Sequence, residues 1–465
     1  MFEIIIVYLI LSVCIGLYAA KKVNTVNDFV IAGRKLPFIF ILAMVFATWF
    51  GAETILGISA TFLEEGLHGL ASDPFGASFC LIIFGLFFAK KLYRMNLLTL
   101  GDFFKFHYSS KVELIISICI VLSYLGWVSA QITALGLVFN VLTNGSISQS
   151  FGMILGGASI LLYTLAGGMW SIAITTFVQM IVIILGLILV TFEATTLAGG
   201  FTNVLLTANY DGKFEWLPEL SFIGFVSWIG AFITMALGSI PQQDVFQRVN
   251  SSKSEKIAIW GTTIGGLVYL VFAFVPILLA YSAVIIDPNL TARLMEQDPQ
   301  LVLPSIVIQQ MPNWLQVVFF GSLLSVIMST ASGTLLAPSI IFSNNILKNL
   351  NSSLTDTQLL LLTRLTIFAF TVIVLLYSLS TNDSIHTMVE NAYRVTLAGA
   401  FVPLFAGLFW KKSSNFGALL SIALGISTWL FLETIKTDLI VEPQIIGLLA
   451  SFIGMILGSY LKPRH

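Results

Sequence analysis

Charge is what this chain has least of. Only 10% of its 465 residues are charged, where soluble globular domains carry about 25%. That excludes a solvent-covered domain and a nucleic-acid binder with a basic face, and the net charge of -1 adds no field of either sign. Cysteine is almost missing. Cys14, Cys80 and Cys119 sit in apolar runs without metal or disulfide spacing, so they read as buried filler. The histidines form no metal spacing either; His68, His107 and His386 fall at or near the ends of apolar runs. No nucleophile–base pair, zinc spacing or catalytic acid pair is found, which argues against an enzyme. Low-complexity tracts and charge blocks are absent, and no soluble domain is seen at either end, so a signalling domain is not expected.

Apolar residues supply what is left: they make up 57% of the chain, and the mean hydropathy is +0.96. The natural unit is then the span of about 20 apolar residues that crosses the hydrocarbon of a bilayer. Thirteen such spans are expected, at about 4–20, 37–62, 70–89, 113–142, 151–167, 171–197, 221–248, 257–285, 313–346, 358–380, 386–410, 415–434 and 443–461. Lysine and arginine test the count. Eighteen fall on alternate connections of one side and three (Lys213, Arg293, Lys436) on the other, with Arg394 inside a span, which accounts for all 22. The rich side is the cytoplasmic one, giving an outside N-terminus and a cytoplasmic C-terminus in a plasma (inner) membrane. The first span has no basic residue before it and Lys21-Lys22 after it, so it reads as a retained helix rather than a signal peptide. The outer connections at about 198–220 and 286–312 suggest packed caps or short helices. Thr99-Leu100-Gly101-Asp102-Phe103-Phe104 suggests a short amphipathic helix at the interface.

Two spans are interrupted in the middle. One reads Phe46-Ala47-Thr48-Trp49-Phe50-Gly51-Ala52-Glu53-Thr54-Ile55-Leu56-Gly57, the other Leu237-Gly238-Ser239-Ile240-Pro241-Gln242-Gln243-Asp244-Val245-Phe246. Glycine, hydroxyls and an acid at membrane depth are tolerated only where backbone is buried in protein or lines a wet cavity. Interruptions at matching places in two halves point to the binding site of a secondary transporter.

Five further motifs occur in order: Asn27-Asp28-Phe29 to Gly33-Arg34, Thr99 to Phe104, Tyr163 to Trp170 through Gly167-Gly168, Gln247-Arg248-Val249, and Met328-Ser329-Thr330. Together they resemble the sodium:solute symporter family over essentially the whole chain. The resemblance is nearest to the family's high-affinity choline transporter branch and its bacterial relatives, with the bacterial proline symporter more distant. It implies an all-α integral membrane protein with the leucine-transporter fold. One transporter domain then fills 1–465: a leading helix and inner loop (1–36), a first inverted five-helix repeat (37–197), a second (221–410) and two trailing helices (411–465). Each repeat begins with a broken helix.

The resemblance also implies a sodium site made by the carbonyls of Ala47, Phe50 and Val326 with the hydroxyls of Ser329 and Thr330. Many members carry an aspartate close to that site where this chain has Thr176, which keeps an oxygen but removes the compensating charge. Sodium is the expected coupling ion, with no other cofactor; the proton stays open because Glu53 or Asp244 could titrate. For the solute, Thr48, Trp49, Glu53, Trp127, Gln131, Gln242 and Asp244 are the candidate contacts. Trp49 and Trp127 match two positions of the choline transporter's aromatic box, but Ala77 and Gln242 replace rings at two others. Asp244 reads equally as a cap of the resumed helix. Glu390 and Arg394 stand at i and i+4, as a structural ion pair or as a gate. The expectation is a cation-coupled symporter of a small organic solute, an amino acid or related zwitterion or a choline-like cation, working by alternating access. The alternatives are a proton-coupled symporter, a non-transporting membrane sensor and a channel, with a membrane enzyme the weakest of all.

Overall fold

The computed structural model describes residues 2–217, 221–350, 354–381, 383–435 and 440–463; Lys436 and Arg464 lie outside them, as do the side chains of His386 and Glu390. Among the described residues every long element is helical. The main helices of the first half are α1 (Phe2–Ala19), α2 (Phe38–Trp49), α3 (Ile58–Glu65), α4 (Leu67–Arg94) and a short α5 (Leu100–His107), followed by α6 (Ser110–Leu142) and α7 (Gln149–Leu197). The second half has α8 (Phe222–Gly238), α9 (Gln243–Asn250), α10 (Glu255–Ile286), α11 (Asn313–Leu350), α12 (Asp356–Ser380), α13 (Thr387–Phe409), α14 (Asn415–Ile435) and α15 (Pro443–Leu461). The expected caps are present as short helices, Phe201–Tyr210, Pro288–Gln297 and Val302–Gln310.

Among the described residues ten helical runs are long and apolar enough to cross a membrane, and two bent pairs bring the total to twelve. The thirteenth expected span is hidden in α7. At 49 residues it is about 74 Å long, more than twice the roughly 30 Å hydrocarbon layer. Gly168 bends it, with φ 50° and ψ -131°, a backbone state essentially closed to side chains bearing a Cβ. A Cβ there would also run into the carbonyl oxygen of Phe29. Gly168→Ala is therefore expected to lower the detergent melting temperature, by a cost of about 1–3 kcal/mol. Gly157→Ala, whose new methyl meets nothing closer than 3.7 Å, serves as the neutral comparison.

Large apolar side chains such as Ile4, Val7, Leu185, Phe192 and Leu457 stand exposed around the bundle, a surface that suits lipid rather than water. Cys14 is on that exposed face, so only Cys80 and Cys119 are the buried filler expected of all three.

The two bent pairs are α2 with Glu53–Glu65, turning by 52°, and α8 with α9, turning by 47°. They run in opposite directions. The start of α2 and the end of α9 are tied by Leu36 N–H to Ser251 O (3.0 Å) and Lys253 N–H to Leu36 O (2.9 Å). Opposed broken helices side by side are what an inverted repeat produces.

Candidate functional site

The first break begins where Phe50 leaves helical geometry at φ -74°, ψ 74°. Gly51 N–H then turns back to Trp49 O (2.8 Å), and Thr54 N–H bonds Gly51 O (3.1 Å). In a continuous helix those two amides would have served Ala47 O and Phe50 O. Both carbonyls are freed, and both meet one side chain: the Thr330 hydroxyl of α11 lies 3.0 Å from Ala47 O and 3.2 Å from Phe50 O. Ser329 and Val326 are joined to each other, Ser329 Oγ donating to Val326 O at 2.9 Å. Every atom in this group is a neutral oxygen, the donor chemistry that suits a small hard cation. Thr176 is fully buried on α7 with no partner for its hydroxyl. The helix carrying it is pinned to α11 on either side, by Tyr163 O–H to Met328 O (3.0 Å) and Ser322 O–H to Val182 O (3.1 Å).

Beyond the break, Glu53 is 2% exposed. Its Oε1 accepts from Trp127 Nε1 (3.1 Å) and its Oε2 from Gln131 Nε2 (2.6 Å), while Gln131 Oε1 accepts from the amide of Ala52 (3.0 Å). Three expected residues, Glu53, Trp127 and Gln131, thus form one network between the break and α6. Trp49 also joins them, stacked on Trp127 with ring centroids 4.6 Å apart. Tyr393 of α13 stands edge-on to both rings, at 5.5 and 5.6 Å. The two indoles therefore present their inner faces to each other and not to a cavity.

Gln242 and Asp244 are held on the second break. Gln242 Nε2 donates to Ser123 Oγ (3.1 Å) and Thr396 Oγ1 (3.4 Å). Asp244 Oδ1 accepts from the Tyr124 hydroxyl (2.6 Å), which in turn accepts from the Asp244 amide (3.0 Å). No cap by its own side chain is seen on α9. Thr48 lies away from the tryptophans: its hydroxyl donates to Met44 O (3.0 Å) and accepts from Arg248. Arg394 bonds Glu433 (3.3 Å), and the expected partner Glu390 falls outside the described side chains.

Residue reading alone passed over four members of this site. Arg248, counted among the cations of an inner connection, is fully buried and donates to Met44 O at 2.6 Å as well as to Thr48. Asp73, just inside α4, bonds the hydroxyl of Tyr269, itself 3.3 Å from Thr54 Oγ1. Tyr393 and Tyr124 complete the set. Asp73 carried a usable signal, an acid inside an apolar run; the tyrosines carried none.

On the lysine- and arginine-rich side the bundle is tied together by hydrogen bonds. Gln243 Oε1 accepts from the amide of Leu100, at the start of α5 (2.8 Å). Asn345 of α11 accepts from Thr99 (2.8 Å) and donates to Asp102 (2.9 Å) and Glu113 (2.8 Å). On the other side a vestibule of about 410 Å³ reaches inward between Gly57, Glu64, Gly69 and Thr387.

Comparison with known proteins places this geometry. The model of the sodium:solute symporter family matches residues 29–425. The high affinity choline transporter 1 of Homo sapiens is 27% identical over 441 residues, 91% of this chain and 75% of that protein. The osmoregulated proline transporter of Bacillus subtilis (strain 168) is 25% identical over 501 residues, 99% of this chain and 95% of that one. A solved structure, the substrate-bound outward-open state of a Na+-coupled sialic acid symporter, superposes with a TM-score of 0.84 at 17% identity, covering 100% of this chain and 98% of that chain. At that identity the likeness speaks for the fold alone, and the fold is the leucine-transporter one.

Proposed function

Because the chain belongs to the sodium:solute symporter family, a family of transporters and not enzymes, we propose that it carries a small organic solute inward with sodium by alternating access. The solute is an amino acid or a related zwitterion, with a choline-like cation the rival, because the indole faces that such a cation would need are stacked on each other. The observation that carries the reading is the Thr330 hydroxyl meeting two carbonyls released by the first break. Sodium at that point takes Ala47 O, Phe50 O, Val326 O and the Ser329 and Thr330 hydroxyls, joining the first broken helix to α11. Thr176 contributes an oxygen without a charge. The solute then lies against Trp49, Glu53, Trp127, Gln131, Gln242 and Asp244, on both broken helices, so each ligand touches parts that move relative to one another. Only a ligand that binds one state better can shift the balance between states. The basic side faces the cytoplasm of a plasma (inner) membrane, which puts the vestibule outside.

Thr176 in place of an acid keeps the proton as the rival coupling ion. Full-length protein in proteoliposomes separates the two. Uptake of radiolabelled proline, betaine or choline is expected to rise when an inward sodium gradient is imposed at equal pH. Uptake driven by a pH gradient in sodium-free buffer overturns sodium coupling, and saturable binding with no flux overturns transport.

A further inference from the structure

Two carboxyl groups lie inside the bundle with no cation beside them. Glu53 is 2% and Asp73 5% exposed, and among the described residues neither makes an ion pair. Acids at membrane depth persist when they serve a ligand or a partner, and here the protein supplies only neutral donors: Trp127 and Gln131 to Glu53, and Tyr269 to Asp73.

Both carboxyls line one cavity, together with Ser72, Thr234 and Tyr393. An independent feature marks it as a ligand site. The Tyr393 hydroxyl is fully buried and has no hydrogen-bond partner, although buried phenols normally find one. The cavity holds about 10 Å³, roughly the space one water molecule needs. It shares Ser72 and Ala231 with the 410 Å³ vestibule above it. Glu64 and Glu65 stand on the vestibule wall, and among the described residues no lysine or arginine lines either space.

Size and donor count select the occupant. A primary ammonium is about as large as water and carries N–H donors for both carboxylates and the phenol oxygen, as a lysine head group does. A quaternary ammonium has no donor, is several times larger, and seeks ring faces; the faces of Trp49 and Trp127 are already stacked on each other. A bare inorganic ion needs no room beside it for a body, whereas this cavity shares two wall residues with the vestibule next to it. We infer that Glu53, Asp73 and Tyr393 form the head-group pocket for a protonated primary amine, with the rest of the solute lying in the vestibule. The inference rests on the symport reading and narrows its solute.

Thermal stability of the full-length protein in nanodiscs, measured with ethanolamine, choline or propanol in sodium buffer, tests it. Ethanolamine is expected to stabilise, with choline and the uncharged propanol at least about tenfold weaker. Loss of one charge-assisted contact in Glu53→Gln or Asp73→Asn should weaken ethanolamine by about tenfold or more, and Tyr393→Phe by about threefold. Stabilisation by sodium alone, which reads the Thr330 cluster, should be unchanged in all three and shows that they fold. Equal stabilisation by choline or propanol, no effect of ethanolamine on the wild type, or variants that bind it normally each overturn the pocket. If Glu53→Gln and Asp73→Asn instead remove the response to sodium, the cavity holds an inorganic cation; the amine pocket falls and sodium symport stands. Absence of any sodium response in the wild type sinks the symport reading itself.

Discussion

Thr330→Val is expected to raise the sodium concentration for half-maximal uptake by at least about tenfold, while Thr330→Ser stays close to wild type. Valine copies the shape of threonine and removes only the hydroxyl, a change that is not neutral in a buried site. Two consequences follow from the geometry. In the ion-free protein the carbonyls of Ala47 and Phe50 lose the one side-chain donor within 3.0 and 3.2 Å, and a buried acceptor left alone costs about 1–3 kcal/mol. In the loaded protein the ion loses an oxygen. The second loss appears in the sodium dependence, the first in stability, so initial uptake rates against sodium concentration should be read beside a melting curve. Ser329→Ala is expected to act more weakly, by about threefold, because that hydroxyl already bonds Val326 O within its own helix. Unchanged sodium dependence in Thr330→Val would remove Thr330 from the ion site.

The parts of this protein that sequence revealed are those where a residue type contradicts its surroundings. Gly51 and Glu53, or Pro241 and Asp244, have no business in lipid, so the breaks could be read without coordinates. Gly167-Gly168 likewise divided two spans that the structure joins as one bent helix. Residues that fit their surroundings stayed silent. Tyr393 in an apolar helix looks like core, and only its unpartnered hydroxyl beside two acids gives it a role. Arg248 ends a span on the basic side, where the distribution of charge calls for a cation, and nothing local says that it turns inward. Asp73 is the exception, an acid inside an apolar run that went unread because Ala71-Ser72 before it makes it resemble the start of a helix. Thr48 was expected at the solute as part of the first break. Helical geometry turns neighbouring side chains about 100° apart, and the structure places Thr48 under the guanidinium instead.

That guanidinium gives the other large effect. Arg248→Met is expected to reduce solute uptake by at least about tenfold with protein still present in the membrane, and Arg248→Lys is not expected to restore it. The side chain reaches from α9 to Met44 O and Thr48 on α2, and lies so close to Gly333 of α11 that a Cβ there would push its guanidinium aside. One planar group therefore packs against the inner halves of both broken helices and against the helix that carries Thr330. Its charge also stands one helical turn from Asp244, which bonds only Tyr124 through its carboxylate. Methionine keeps most of the volume but removes the nearby positive charge and both bonds to α2, and a hydrogen bond from a charged group is worth about 1.5–3 kcal/mol. Lysine keeps the charge, but its stem ends short of the Nη1 that serves both Met44 O and Thr48, and it lacks the planar group that packs beside Gly333. A contact that closes the inner side favours the outward-facing state, and sodium binding is expected to favour the same state. Removing the contact should then weaken sodium stabilisation even though no ion ligand has changed. Arg248→Met with normal uptake and a normal response to sodium would show that the inner side is held by the Asn345 network alone.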